Sequence, residues 1–89
     1  MVEKSVYFTR HALDQMKERE ATEDEVIEAI RHGNWSPAEK GRWTTTKTFP
    51  FNSEHYGRYY TTKEVVPIFL EEAERIVVIT AYTFFSQRR

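Results

Sequence analysis

The chain contains no cysteine, and it has only three glycines and three prolines. Without cysteine it can form no disulfide, no thiolate nucleophile and no zinc–thiolate site, which is compatible with a reducing cytoplasm. Its three histidines, His11, His32 and His55, lack the close spacing that metal ligands usually show. We therefore predict no metal site, and nothing in the sequence implies a cofactor.

Long apolar runs are also missing. The first eight residues lack the apolar segment of a secretory signal, and no run approaches the roughly 20 residues that span a bilayer. We therefore expect a soluble, cytoplasmic protein with no membrane association. The 89 residues suit one domain covering residues 1–89.

Aromatic residues and charge are what the chain has in quantity. Six Phe, five Tyr and two Trp predict a compact core. The 13 basic and 14 acidic residues nearly balance, which argues against a protein that coats nucleic acid. Residues 14–28 carry seven acids and two bases, whereas residues 31–63 carry six bases and two acids. This separation indicates either a functional basic region or two ordinary solvated faces.

Two helix starts are visible in the first third of the chain. Thr9 can cap a helix that begins at Arg10. The sequence T-E-D-E places Thr22 at the second N-cap, with Glu25 at capping-box spacing. Gly33 predicts the end of the second helix, so the two helices should form a hairpin.

The rest of the chain has the alternating pattern of strands. After a loop over residues 34–41, strands are predicted at residues 42–49, 58–62, 65–70 and 76–85. Pro50 should end the first of these, and Pro67 predicts that its own strand is an edge strand or lies at a bulge. The last strand is the most apolar and should be central.

The predicted order is β-α-α-β-β-β-β. This is an α+β fold in which a short strand and a two-helix hairpin precede a four-stranded, mainly antiparallel sheet, with both helices on one face.

Three polar residues of the first helix form the first candidate site. At about 100° per residue, His11, Gln15 and Arg19 border the buried stripe. A histidine there could act as a general acid or base, and an arginine could hold a phosphate. The alternative is that His11 is an ordinary amphipathic position and Arg19 pairs with an acid.

The strands supply further candidates. Arg58 and Tyr60 should share a face, and such a pair could hold phosphate and stack on a base. On the last strand Thr80, Tyr82 and Phe84 should share one face. The residues expected to face the helices are Val77, Ile79 and Ala81.

These segments together resemble a known family. T-R-H-A with an arginine eight positions after the histidine, then T-E-D-E-V-I-E-A-I-R-H-G, then V-V-I-T-A-Y, is similar to the domain of unknown function family 4258. The similarity runs from about Tyr7 to Tyr82. That family is in turn similar in element order to the RelE and barnase-like ribonuclease toxins.

The resemblance implies roles for particular residues. His11 and Arg19 match positions on the family's helix, Thr80 and Tyr82 match its final strand, and Arg58 aligns with a basic strand residue. We therefore expect a toxin-like, metal-independent ribonuclease with RNA and a cognate antitoxin as partners. The catalytic candidates are His11, Arg19, Arg58 and Tyr82, and the substrate-binding candidates are Gln15, Tyr60 and Thr80. The alternative is a non-catalytic protein-interaction module that uses its exposed aromatic residues.

Overall fold

The computed structural model describes residues 4–87 as an α+β fold with two helices and one mixed sheet of six strands. Neither helix in this part of the chain is long and apolar enough to cross a bilayer. A short 3-10 helix joins β2 to β3. The elements are β1 Ser5–Phe8, α1 Arg10–Arg19, α2 Glu23–His32, β2 Ser36–Pro37, the 3-10 helix Glu39–Gly41, β3 Trp43–Thr44, β4 Lys47–His55, β5 Arg58–Glu71 and β6 Arg75–Ser86.

Both helices begin where their capping residues predict. The Thr9 hydroxyl accepts a hydrogen bond from the Ala12 amide at 3.0 Å. At α2 the capping box is complete, because Thr22 and Glu25 each accept from the other's backbone N–H, at 3.1 and 3.0 Å. Glu20 ends α1 in the left-handed conformation, with φ of 58°, and this reverses the chain within a few residues. The predicted helical hairpin and its caps are confirmed.

The sheet is larger than the four strands predicted. Its order is β1-β6-β5-β3-β2, and β4 also pairs with β5, beyond the end of β3. β1 joins the sheet in parallel with β6, and all the other pairs are antiparallel. The strand predicted at residues 42–49 is divided into β3 and β4, and β4 continues past Pro50 to His55. The strands predicted at residues 58–62 and 65–70 are one strand, β5.

Pro67 lies in the middle of the sheet, so the edge-strand alternative is wrong, whereas the β5–β6 register shifts between Ile68 and Phe69, directly after Pro67, as the bulge alternative predicts. β5 pairs with β6 on one side and with β3 and β4 on the other. The Pro67 carbonyl accepts from the Thr44 hydroxyl at 2.9 Å, which shows that the polar backbone groups of Pro67 point toward β3 and β4. Pairing on that side is interrupted between Thr44 and Lys47. The missing N–H of proline therefore costs no ladder hydrogen bond.

The hydrophobic core lies between the two helices and one face of β5 and β6. A bulge in β6, where Val78 pairs with Phe69 and Thr80 with Ile68, adds Ile79 as an extra residue. The bulge changes the alternation, because Ile76 and Val78 before it share the core with Ala81 after it. The β6 residues in the cluster against the helices are thus Ile76, Val78 and Ala81, in place of the predicted Val77, Ile79 and Ala81; Val77 is buried outside this cluster.

A buried lysine attaches the helical hairpin to the sheet. Lys63 on β5 is 5% exposed and donates to the Glu20 carbonyl at 2.6 Å and to the Glu25 carboxylate at 2.8 Å. The Glu20 carboxylate lies 2.5 Å from Nδ1 of His55 at the end of β4. The two contacts of Lys63 compensate its charge, whose burial would otherwise be costly. They also hold the β4–β5 hairpin against the α1–α2 junction.

Candidate functional site

The last residue of α1 crosses the edge of β6 and reaches the sheet face that the helices leave uncovered. Nη1 of Arg19 donates to the Ala81 carbonyl at 2.9 Å and makes a longer hydrogen bond of 3.5 Å to the Thr80 hydroxyl. The guanidinium carbon lies 4.7 Å from the centre of the Tyr82 ring. The Thr83 hydroxyl donates to the Arg19 carbonyl at 2.9 Å, so both ends of this residue are held on β6.

A pocket of about 390 Å³ lies beside this arginine. Three strand residues line it, Ile68 from β5 and Thr80 and Tyr82 from β6. The other lining residues come from the loop between β2 and β3 and include Glu39, Lys40 and Arg42. Since Thr80 and Tyr82 both contact Arg19 and line the pocket, the guanidinium lies at its margin.

The loop that carries the pocket's cations has a defined backbone. The Ala38 N–H donates to the Arg42 carbonyl at 2.8 Å, and the Arg42 N–H donates to the Glu39 carbonyl at 3.2 Å. Lys40 and Gly41 are both in the left-handed region, with φ of 61° and 73°. This is a conformation that glycine adopts at little cost and lysine rarely adopts. The loop is therefore a tight turn that carries Lys40 and Arg42 at the pocket.

The pocket is cationic and rich in hydroxyl groups. Within residues 4–87, neither Lys40 nor Arg42 forms an ion pair with an acidic side chain. Glu39 is the one acidic residue in its lining. Arginine, lysine and hydroxyl groups around a concave surface are the donors that bind phosphate oxygens in proteins.

His11 and Gln15 lie on the same helix as Arg19, two turns and one turn before it. The start of this helix is attached to β6, because the Thr9 hydroxyl donates to the carbonyl of Ile79 at 3.4 Å. His11 is exposed and Gln15 is half-buried. Of the three predicted polar residues, Arg19 is in direct contact with Thr80 and Tyr82.

Arg58 and Tyr60 are not brought to this pocket. Arg58 is exposed at the β4–β5 hairpin, where it pairs with His55. Along β5 it lies eight residues before Val66, the partner of Tyr82, which corresponds to about 26 Å of extended strand. The Tyr60 ring lies 5.4 Å from that of Phe85, and His55 stacks on the same Phe85 ring at 4.1 Å. Tyr60 therefore contributes to an aromatic cluster at the hairpin.

Lys40 and Arg42 are not among the site residues that the sequence predicts. The signal that could have found them is the excess of bases over acids in residues 31–63. That signal does not say which of the six bases meets Thr80 and Tyr82, because the answer depends on the pairing of β3 with β5.

The described residues contain no group of three or more His, Asp or Glu side chains that could hold a metal ion. One pKa shift lies away from the pocket, at the β5–β6 turn. There a hydrogen bond from Arg75 to the Glu72 carboxylate, and the charge of that carboxylate, raise the pKa of Arg75.

Fold and pocket together define a small α+β protein with a cationic, hydroxyl-lined site on the uncovered face of its sheet. The family model described as Domain of unknown function (DUF4258) matches residues 8–83. The chain therefore belongs to this family, as the sequence motifs indicate. No curated protein and no solved structure matches the chain significantly.

Proposed function

We propose that the protein is a metal-independent endoribonuclease of the toxin type, and that the pocket beside Arg19 binds the phosphate backbone of its RNA substrate. The observation that carries this proposal is a pocket lined by Lys40, Arg42, Thr80 and Tyr82, with Arg19 in contact with the last two of these residues. The chain as a whole has a net charge of −1, so this local concentration of positive charge is what would attract RNA.

Cleavage of RNA without a metal requires three groups. A base takes the proton of the attacking 2′-OH, an acid protonates the leaving oxygen, and a cation stabilises the charge that develops on phosphorus. We assign Arg19, with Lys40 and Arg42, to the developing charge. His11, exposed at the first turn of α1, is the candidate base or acid, and the Tyr82 hydroxyl is the candidate second proton donor.

This assignment differs from the one based on sequence. Arg58 is replaced by Lys40 and Arg42 as a phosphate-holding residue, because Arg58 lies at the far end of β5. Thr80 keeps a substrate-binding role through its hydroxyl, and Gln15 keeps one as the residue between His11 and Arg19 on the helix.

The test is a cleavage and binding assay on single-stranded RNA in the presence of EDTA. The double variant Lys40→Gln, Arg42→Gln should weaken RNA binding at least about tenfold, since each cation donates to a charged phosphate. It should also reduce the slope of log affinity against log salt by about 1.4, at about 0.7 per phosphate contact. His11→Ala should retain binding and lower the cleavage rate by 10² or more, as loss of a general acid or base does.

Lys17→Gln is the matched control, because it removes one positive charge from α1 at a position about 160° around the helix from Arg19. It should leave binding and cleavage unchanged. Equal RNA affinity of the wild type and the double variant would contradict the phosphate site. Binding without cleavage at high protein concentration would contradict the ribonuclease assignment and would favour the non-catalytic interaction module.

A toxin with this site would need a partner that keeps it inactive. We propose an antitoxin with an acidic segment that covers the cations of the pocket and competes with RNA. Co-expression of the protein with the product of a neighbouring gene, followed by co-purification, tests this. The complex should form with the wild type and weaken with the Lys40, Arg42 double variant.

A further inference from the structure

The uncovered face of the sheet continues beyond the pocket as a pair of exposed aromatic rings. Tyr82 and Phe84 are two residues apart on β6, point to the same face and are 42% and 57% exposed. Tyr82 also lines the pocket, so Phe84 is the next residue on this face of β6 beyond the cationic site. In an antiparallel strand such residues are about 6.8 Å apart.

A carboxylate lies beside the second ring. Glu64 on β5 pairs directly with Phe84, and side chains at such positions have Cβ atoms about 4.5–5.5 Å apart. In the part of the chain from residue 4 to residue 87, no hydrogen bond or ion pair engages the Glu64 carboxylate. An ionised carboxylate can only accept hydrogen bonds, so a ligand at this position must supply a donor.

We propose that Tyr82, Phe84 and Glu64 form a base-binding subsite for single-stranded RNA, selective for cytosine over uracil. This inference rests on the proposed function, because it places the bases of the same strand whose phosphates occupy the pocket. The 4-amino group of cytosine donates to Glu64, whereas uracil presents a carbonyl oxygen that the carboxylate repels. Phe84 supplies the ring on which that base stacks.

The spacing of Tyr82 and Phe84 along β6 favours a single strand over a duplex. The backbone positions of these two residues are about 6.8 Å apart, twice the 3.4 Å rise of a stacked strand. Two neighbouring bases that stack on Tyr82 and Phe84 must therefore be separated from each other. Such splayed bases occur in single-stranded RNA and expose their Watson–Crick edges.

The same arrangement favours RNA over a protein segment as occupant. Arg19 lies against the Tyr82 ring at 4.7 Å, so this aromatic surface is directly joined to a guanidinium with hydrogen-bond partners on β6. A polymer with flat apolar groups and anionic groups in every repeat matches both features at once. An apolar peptide would match Phe84 and would leave the pocket cations without partners.

The test measures fluorescence anisotropy of labelled decacytidylate and decauridylate with the full chain. The wild type should bind decacytidylate about tenfold more tightly. Phe84→Ala should weaken binding of both oligomers by about tenfold, the expected effect of losing one stacked base. Glu64→Gln should make the two affinities equal, because an amide can accept from cytosine and donate to uracil.

Tyr59→Ala is the control for loss of an exposed aromatic ring, because Tyr59 is 49% exposed and lies at the β4–β5 hairpin. It should leave both affinities unchanged. Equal wild-type affinity for the two oligomers, or no effect of Phe84→Ala, would overturn the subsite; weakening by Lys40→Gln, Arg42→Gln would then still support the proposed function. If neither oligomer binds and an acidic, aromatic peptide does, a protein partner replaces RNA and both proposals fail.

Discussion

The two faces of β6 use alternate residues of one strand for different purposes. On the helix-covered face Val78 and Ala81 are fully buried among side chains of α1 and α2. On the opposite face Tyr82 and Phe84, one and three residues beyond Ala81, remain 42% and 57% exposed. A strand of this kind holds the core with one set of side chains and leaves the other set free to bind a ligand.

Whether a large aromatic residue is exposed in this protein depends on the face of the sheet that carries it, and little on the hydrophobicity of the residue. Phe69 on β5 is fully buried, while Phe84 on β6 is mostly exposed. The difference is the layer of helices, which covers only one face of the sheet. Aromatic residues on the uncovered face gain little stability from burial, which makes them the stronger candidates for binding.

The largest expected difference between the faces comes from truncating these two phenylalanines. Phe69→Ala should lower the free energy of unfolding by about 3–5 kcal/mol, because it removes a buried ring that packs edge-on against Trp35 at 4.8 Å. Phe84→Ala should change it by about 0.5 kcal/mol or less. Urea denaturation of both variants measures this. A large loss for Phe84→Ala would mean that the uncovered face also contributes to the core.

Two threonines of β6 give a second, smaller contrast. Thr83→Val should cost about 1 kcal/mol of stability, because it removes the part-buried hydrogen bond to the Arg19 carbonyl. Thr80→Val loses only the 3.5 Å contact to Arg19 and should cost less than about 0.5 kcal/mol. If the pocket binds RNA, the order reverses for function, since Thr80 lines the pocket. Thermal unfolding together with RNA affinity separates the two effects.

The smallest expected effect is a gain in stability on substitution of Thr45, a buried residue next to the covered face. The Thr45 hydroxyl is buried without a hydrogen-bond partner in the described part of the chain, and it packs against Gly33. Thr45→Val keeps the shape and removes the unpaired polar atom, so it should stabilise the protein by up to about 1 kcal/mol. An increased denaturation midpoint at unchanged m-value would show this. A decrease would mean that the hydroxyl has a partner, such as a buried water.

Much of the local structure was predictable because its causes lie within a few residues. The capping box of Thr22 and Glu25, the N-cap at Thr9 and the shared face of Thr80, Tyr82 and Phe84 all depend on short sequence spacing. The sheet was harder to predict. The β6 bulge at Ile79, the division between β3 and β4, and the central position of Pro67 depend on partners that are distant in sequence.

Predictions for the site divide in the same way. Arg19, Thr80 and Tyr82 were selected from the sequence, and the structure brings them into contact. Arg58 was predicted from the same kind of pattern. However, β5 is one long strand that begins at Arg58, so Arg58 lies at the end of β5 that is remote from the pocket.

The amino-acid sequence alone determined the two helices, their caps, the family and the shared face of Thr80, Tyr82 and Phe84. Tertiary structure decided which face of the sheet is covered and that Lys40 and Arg42 line one pocket with Thr80 and Tyr82, the residues that Arg19 contacts. The physical reason is the separation in sequence between the residues that interact. Caps and alternation follow from backbone hydrogen bonds and geometry between near neighbours, whereas the pocket requires the β3–β5 and β5–β6 registers and the attachment of α1 to β6 to be satisfied together.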